Sequence, residues 1–513
     1  MKKKIFLPEY SSLCYIYCMA KDSGITLISP YSDISSIGSR ILSSVLKKDK
    51  IPVRLLFIPH TPSEKMKSDS DDYFFSENTI REVASFCKVS DFVGISLMTH
   101  YFDKAVQLTQ KLKETSECKI VWGGIHPTIR PEECLDHAHI VGIGECESSI
   151  VELILNGKEN QNIRNFWFKT QKGIIKNDLF PLTENIDELP FQDYDLEGHF
   201  VYDEPSGKIL PMDIDLLKTY LDLGHISRIK NQTAYQTIAS RGCPHNCSYC
   251  CNNAISMLYK GQKTLRRRSN GNIISELSMI KEKFPFIKVI GFSDDSFFAA
   301  SAEKIGEFAE IYKARIDLPF FCLGSPLTIT EEKLKLLIPA GMFGIQMGIQ
   351  TGSSRILDMY NRKITNRMVL ETSNLLSKFK DKITPPVYDI IIDNPFETKE
   401  DHIQTFQLLN GLSKPHRLQI FSLVLFPATA LYDKSVEEGF ITDDKTQIYR
   451  KNYHQRKSNY INFLFGLYRQ NIPTWILKPL SSKAAVNIFQ RKMFDGLFSL
   501  LYKGFRILKG QVS

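Results

Sequence analysis

The chain has 513 residues, 43% of them hydrophobic and 24% charged, with a net charge of +8. That length predicts two or three domains with an ordinary buried core, and no apolar run reaches the roughly 18 residues that a membrane-spanning helix needs. The charge is concentrated at one end: from Arg450 onward stand twelve Lys or Arg against one acid, Asp495, so composition excludes a general nucleic-acid surface on the body of the chain.

The opening "MKKKIFLPEYSSLCYIYCMAKDSG" has the lysines of a signal peptide, but Pro8 and Glu9 interrupt its apolar stretch. The chain is therefore expected to be cytoplasmic. Its 11 cysteines then read as reduced thiols, ligands or buried apolar groups.

Short apolar runs follow: "GITLIS" (24–29), "VRLLFI" (53–58), "DFVGISLMT" (91–99), "KIVWGG" (119–124) and "HIVGIG" (139–144). Amphipathic stretches such as "SRILSSVLKK" and "FDKAVQLTQKLKE" separate them. The alternation predicts a doubly wound parallel sheet, Rossmann-like, over residues 1–185. Ligands of such sheets bind at the strand carboxyl ends, where the loops read "PYSDISSIGS", "SLMTH", "GGIHPTIRPEE" and "GIGECE". A hairpin ("IRNFWFK…GIIKN") ends the unit, and the acidic "LTENIDELPFQDYDLEG" opens a linker assigned to 186–233.

A second series of strands reads "AYQTIAS" (234–240), "KVIGFSDDSF" (288–297), "FFCLG" (320–324), "FGIQMGIQTG" (343–352), "VYDIIIDNP" (387–395) and "LQIFSLVLFP" (418–427). Six βα units predict a partial (β/α)6 barrel over 234–445, with its working loops at the strand carboxyl ends.

After the first of these strands comes "SRGCPHNCSYCCN", which places Cys243, Cys247 and Cys250 in one loop. Zinc would call for a fourth ligand, and no partner pair follows downstream. Iron–sulfur clusters are held by thiolates, usually four. Three would hold three irons of a cubane and leave one open to a small molecule. Cys251 reads as a packed thiol.

These residues resemble the radical S-adenosylmethionine (radical SAM) superfamily, which carries C-x3-C-x2-C after its first barrel strand. "RGCP" and the aromatic Tyr249 belong to the same match. The resemblance implies a [4Fe-4S] cluster on Cys243, Cys247 and Cys250. Its open iron chelates SAM, whose reductive cleavage yields a 5′-deoxyadenosyl radical that abstracts hydrogen from unactivated carbon. It further implies SAM contacts from Asp294 or Asp295 in "GFSDDSFF" (otherwise a helix cap), Ser325 in "CLGSP", Gln350 in "GIQTGSSRIL" and Asn394 in "DNPFET". Gln350 stands where many relatives carry Glu.

Beside such a barrel, "VGISLMT" and "GGIHPTIRPEECLDHAHIVGIGECE" are similar to the cobalamin-binding domain of the B12-dependent subgroup. Ile143 and Cys146 depart from that subgroup's G-E-G-E. No D-x-H-x-x-G supplies a histidine to cobalt. The resemblance implies cobalamin with its nucleotide tail extended, lined by Ser96, Gly123, Gly124, His126 and Gly144, His126 as a structural or hydrogen-bonding group.

The implied activity is cytoplasmic C-methylation of an unactivated carbon in a small or lipid-like molecule, served by a reductant such as flavodoxin or ferredoxin. Non-methylating cyclisation or rearrangement is the alternative inside the family, and an iron–sulfur electron carrier or redox sensor the alternative outside it. No nucleic-acid partner is expected. Residues 446–513 are expected to be helical and basic. Within them, 484–509 reads as an amphipathic helix with Arg491, Lys492, Lys503, Arg506 and Lys509 on one face. It would dock on the barrel or touch an anionic membrane peripherally.

Overall fold

The computed structural model describes residues 24–59, 73–454, 457–498 and 500–501. The lysine-led N-terminus and tail residues Lys503, Phe505, Arg506, Leu508 and Lys509 lie outside the described residues.

The first sheet begins with β1 (Ile25–Ser29), β2 (Val53–Phe57), β3 (Phe92–Ser96), β4 (Lys119–Gly123) and β5 (Ile140–Gly142), all parallel. Every residue of β1 is buried, because helices cover both faces of a parallel sheet and leave no solvent side for alternation. β6 (Phe166–Thr170) and β7 (Gly173–Ile175) form the expected antiparallel hairpin beside β5. In the order β7-β6-β5-β4-β3-β1-β2, continued by β8 (His199–Asp203) and β9 (Lys208–Pro211), β1 leads to β2 on one side and meets β3 on the other. The crevice at such a reversal is where open sheets bind ligands.

The stretch expected to be a linker, 186–233, is built into the fold. β8 (His199–Asp203) pairs parallel with β2, and β9 (Lys208–Pro211) closes the edge antiparallel. The connector is acidic, yet Asp193 within it is buried. It accepts from Ser43 at 2.6 Å and pairs with Lys47 at 2.8 Å and His199 at 2.9 Å. Arg40, also buried, donates to the Asp193 carbonyl at 2.7 Å. Satisfied partners let these charges leave water.

The second sheet contains β10 (Ala234–Thr237), β13 (Val289–Phe292), β14 (Phe320–Gly324), β15 (Met342–Gln350), β16 (Val387–Ile392) and β17 (Arg417–Ser422) in chain order, all parallel. β10 and β17 are not paired, so the barrel is open, as a partial barrel requires. The run 234–240 is not one strand. The chain leaves the barrel at Ile238, and β11 (Ser240–Arg241) pairs with β12 (Arg266–Arg267) as a two-stranded ribbon.

Beyond the barrel, a helix (Tyr460–Arg469) packs against β17. The run 484–509 is not one helix over its described part. It stops at Phe489, with a 3-10 turn at Lys492–Phe494. The break lets Phe489 and Phe498 both reach Tyr460, at centroid distances of 5.3 and 4.6 Å. Val486 is buried, while Met493, Leu497, Leu500 and Leu501 stay exposed. No helix among the described residues is long and apolar enough to cross a membrane.

Candidate functional site

The three-cysteine loop runs from the β11–β12 ribbon to a helix (Cys251–Leu258) at the carboxyl end of the barrel. Gly242 starts it with φ of 85°, and a Cβ there would stand 2.3 Å from the Thr264 carbonyl oxygen, so only glycine turns this corner. The segment after β15 holds the loop from below. Ser248 donates through its amide to Tyr360 O at 3.0 Å and through its hydroxyl to Met359 O at 2.6 Å. Asn361 donates to Asn246 O at 2.8 Å.

Cys243, Cys247 and Cys250 are free thiols, Cys247 buried and the other two half-buried. Burial pushes the Cys243 thiol up to about 11, so loading a cluster must release protons. No three His, Cys, Asp or Glu among the described residues converge as they would on a single ion. A cubane takes one thiolate per iron corner, so three spaced thiols on one loop fit a cluster better than a lone metal. Cys251 opens the helix and shares a hydrogen bond with Cys250.

Two groups that sequence reasoning missed lie beside this loop. Arg362 donates to Cys247 Sγ at 3.6 Å, to Tyr249 Oη at 3.1 Å and to Gly348 O at 2.7 Å. Asp389 on β16 points into the barrel, where Gln346 Nε2 on β15 donates to both its oxygens at 2.9 Å. Burial raises the Asp389 carboxyl to about 7, against the opposing pull of Gln346 and Arg362. Neither side chain carries a motif of its own. The only signal was alternation, with Gln346 and Asp389 half-buried between the buried Ile345, Met347, Tyr388 and Ile390.

The expected SAM contacts divide. Asp295 lines the large cavity described below, beside Ser293 and Asn252. Asp294 does not: fully buried, it accepts from the Ala239 amide at 2.9 and 3.0 Å and from Ser240 Oγ at 2.5 Å. It is a strut that turns the chain out of β10, neither a ligand group nor a helix cap. Ser325 lines a pocket of about 140 Å³ with Cys247 and Arg362. Gln350 ends β15 with φ of 72°, at a register shift against β16. Asn394 donates to Tyr360 Oη at 3.0 Å and accepts from the Phe396 amide at 3.0 Å. Its carboxamide is thus engaged within the protein, bracing Tyr360, which stacks edge-on against Tyr249 at 4.8 Å.

Where the first sheet faces the cysteine loop there is a cavity of about 510 Å³. It runs from the carboxyl ends of β1, β3, β4 and β5 down the sheet face to Ile25 and Leu27, under the helix Ile37–Lys48. On the far wall stand Arg241, Gly242, Asn252, Tyr259 and Asp295. Ser96, Gly123, Gly124 and Gly144 all line it. Ser96 Oγ is 2.9 Å from Tyr31 Oη. A Cβ on Gly123 would meet nothing within 4 Å, so the missing side chain is room for a ligand. Gly124 has φ of 102° and Gly144 of 70°, and a Cβ on Gly144 would lie 1.9 Å from Tyr259 Oη. A deep slot floored by glycines fits an extended nucleotide tail.

Among the described residues, no histidine lines this cavity. The turn after β1 reads Asp33-Ile34-Ser35-Ser36-Ile37-Gly38, so Ser35 occupies the histidine place of D-x-H-x-x-G. Its hydroxyl donates to Asp33.

His126 is the expected lining residue that the structure moves elsewhere. It is fully buried behind the cavity, its Nδ1 3.1 Å from Thr99 Oγ1, its ring 5.1 Å from Tyr449 and its Nε2 3.9 Å from Glu133. Burial, then Arg130, lowers it to about 3, so it is neutral. Tyr449 comes from the segment after the barrel, which folds back on the first domain through Tyr449–Glu133 at 2.7 Å and an ion pair between Arg450 and Asp103. His126 is packing at that seam.

Residues 237–409 match the family model described as the radical SAM superfamily, and residues 24–154 match that of the B12 binding domain. An uncharacterized methyltransferase of Pyrococcus horikoshii is 26% identical over 401 residues, spanning 76% of this chain and 79% of that protein. Bacteriochlorophyllide d C-8(2)-methyltransferase of Chlorobaculum tepidum is 22% identical over 431 residues, or 80% and 83% of the two chains. Among solved structures, the cobalamin-dependent radical enzyme OxsB with aqua-cobalamin and SAM superposes with a TM-score of 0.64 at 15% identity, covering 96% of this chain and 76% of that one. The methyltransferase TsrM of Kitasatospora setae, with tryptophan and a SAM analog, gives 0.58 at 15% identity, covering 81% and 76%. Both share the fold.

Proposed function

The chain belongs to the radical SAM superfamily and carries a B12-binding domain, and from that premise we propose that it transfers a methyl group from SAM to an unactivated carbon of a small or lipid-like molecule. One observation carries the reading: the glycine-floored slot and the cysteine loop's flanks wall the same cavity. Cofactors held in the two places would therefore face one another across the substrate. When bound, the cluster and SAM supply a carbon-centred radical, and the corrin supplies a methyl carrier.

The protein's own residues position and shield. Cys243, Cys247 and Cys250 hold the cluster, with Arg362 donating to the buried Cys247 sulfur. Asp295, Ser325 and Gln350, on three successive barrel loops, are placed to orient SAM, and Tyr249, braced by Tyr360, backs the loop. Ser96, Gly123, Gly124 and Gly144 admit the corrin's tail. A one-electron donor such as flavodoxin or ferredoxin completes the reaction, and a cytoplasmic setting keeps the thiols reduced. The exposed Met493, Leu497, Leu500 and Leu501 lie in the basic tail and suit peripheral contact with anionic lipid. Co-flotation with anionic vesicles checks this, and deletion of 480–513 should abolish it.

The deciding experiment is anaerobic incubation of reconstituted protein with methyl-labelled SAM, strong reductant and candidate acceptors. Label in a carbon of the acceptor is expected. Deoxyadenosine without labelled product would favour cyclisation or rearrangement. An absence of SAM cleavage would favour an iron–sulfur electron carrier or redox sensor.

A further inference from the structure

We propose that Arg241, Arg266, Glu145 and Glu147 are positioning residues that fix the separation between the cobalamin slot and the cluster loop. The inference rests on the reading that both cofactors are present, and it assigns a role to four side chains of the cavity wall whose charges are paired with one another.

β11 and β12 pair antiparallel with Arg241 directly opposite Arg266. Like charges facing one another across a strand pair are destabilising, and both guanidinium groups are largely buried, at 15% and 4% exposure. A two-stranded ribbon with this pair at its centre does not hold by itself. Its counter-charges come from the other domain, in the loop after β5. Arg241 pairs with Glu145 at 3.0 Å and with Glu147 at 2.7 Å. Arg266 grips Glu145 with two nitrogens, at 3.1 and 2.5 Å. Two positive and two negative groups cancel, and paired this closely they tolerate burial that would be costly singly.

Location gives the network its consequence. Arg241 stands two residues before Cys243, whereas Glu145 follows Gly144, which floors the slot. The helix on the other side of the cluster loop is tied to the same place, because the Glu145 amide donates to Tyr259 Oη at 3.1 Å. The cluster loop is thus fastened at both ends to the loop that would hold the corrin. Ridges of packed apolar side chains can slide; a bidentate Arg–carboxylate lattice has one geometry. Reaction between a radical and a methyl carrier needs that fixed spacing.

The test measures distance directly, on protein loaded with both cofactors. With the cluster in its reduced paramagnetic state and the corrin as cob(II)alamin, pulsed electron paramagnetic resonance reports the separation of the two spins. The native protein should give one narrow distribution. Glu147→Gln and Arg241→Gln should lose it to a broad one while still binding four irons and one cobalamin, and the exchange Arg241→Glu with Glu147→Arg should recover it. An unchanged distribution in both single variants, or a broad one already in the native protein, would overturn the proposal. If Arg241→Gln does not fold, Glu147→Gln and the charge exchange decide. Should the native protein bind no cobalamin, the functional reading fails instead. Amide exchange over 238–267 in cluster-loaded protein then tests the clamp alone: faster exchange in Glu147→Gln upholds it, and identical rates reject it.

Discussion

The two walls of the cavity are built on opposite plans. The barrel wall is made of side chains: three thiols, a guanidinium touching one of them, and carboxylates that are either spent on structure, as Asp294 is, or left facing inward, as Asp295 and Asp389 are. The sheet wall is made of omissions. Gly123 leaves open space, Gly124 and Gly144 take a backbone shape that side chains resist, and Ser35 stands where an imidazole would project. One wall binds by chemistry and the other by vacancy, so substitutions on the two sides should fail differently.

The largest effect should come from the barrel wall. Cys243→Ala removes one of three cluster ligands, and SAM cleavage should fall to the level of the protein-free control. Iron content and deoxyadenosine yield measure it. Cobalamin binding should survive, because the slot's floor lies in the other domain. Loss of both cofactors together would break the contrast between the walls.

On the sheet wall the informative change adds atoms. Gly123→Leu meets no protein atom near its Cβ, so the fold should tolerate it, while its side chain occupies ligand space. Overfilling a packed site costs about 1–3 kcal/mol, which is roughly five- to 150-fold in cobalamin affinity. Equilibrium titration followed by absorbance reads it, with four irons retained. A variant that binds cobalamin normally would show that the slot serves something else.

The same contrast explains what could be read from the amino acids. The cysteine loop was legible because its chemistry and its spacing are both in the letters. The parallel strands were legible because covered sheets spell continuous apolar runs. The slot was partly legible, since glycines at strand ends mark close approach. The misreadings share a cause: a polar residue's partner is set by the fold. Asp294 and Asp295 are neighbours in sequence, yet one meets the Ala239 amide and the other the cavity. Asp193 sits in the acidic stretch assigned to a linker, and it is buried with Lys47, Ser43 and His199. His126 was read as a structural or hydrogen-bonding group beside the slot, and its partner at a seam with Tyr449, a residue far away in the chain, could not be read from the letters. Arg362 carried no signal, since its partners are Cys247 and a strand carbonyl.

Arg362 sharpens the chemical side of the comparison. A cation that donates to a cluster sulfur favours the reduced, more negative state, so Arg362→Gln should lower the reduction potential. If the differential interaction is about 1 kcal/mol, low for a hydrogen bond to a charged group, the shift is roughly 40 mV for one electron. Redox titration of the cluster signal measures it. A rise in potential would contradict the assigned contact.

The last effect concerns stability rather than chemistry, at Asp389, and its sign follows from where its proton sits. An unfolded aspartate ionises near 3.8, whereas burial raises the folded carboxyl to about 7. Between those values the native state holds a proton that the unfolded chain has lost, so raising the pH across this window lowers stability, and the loss is complete above about pH 7. Asparagine cannot ionise. Asp389→Asn should therefore flatten the decline by up to about 1.4 kcal/mol per pH unit inside the window and leave the behaviour above it parallel to wild type. Glu397, raised to about 8 chiefly by burial, gives a decline of the same sign in both proteins, so it cancels in the difference. Denaturant midpoints of cluster-loaded wild type and variant, taken from pH 4 to 8, make the comparison. If the two curves run parallel throughout, Asp389 is solvated in the barrel and ionises normally, and the barrel wall is wetter than its side chains imply.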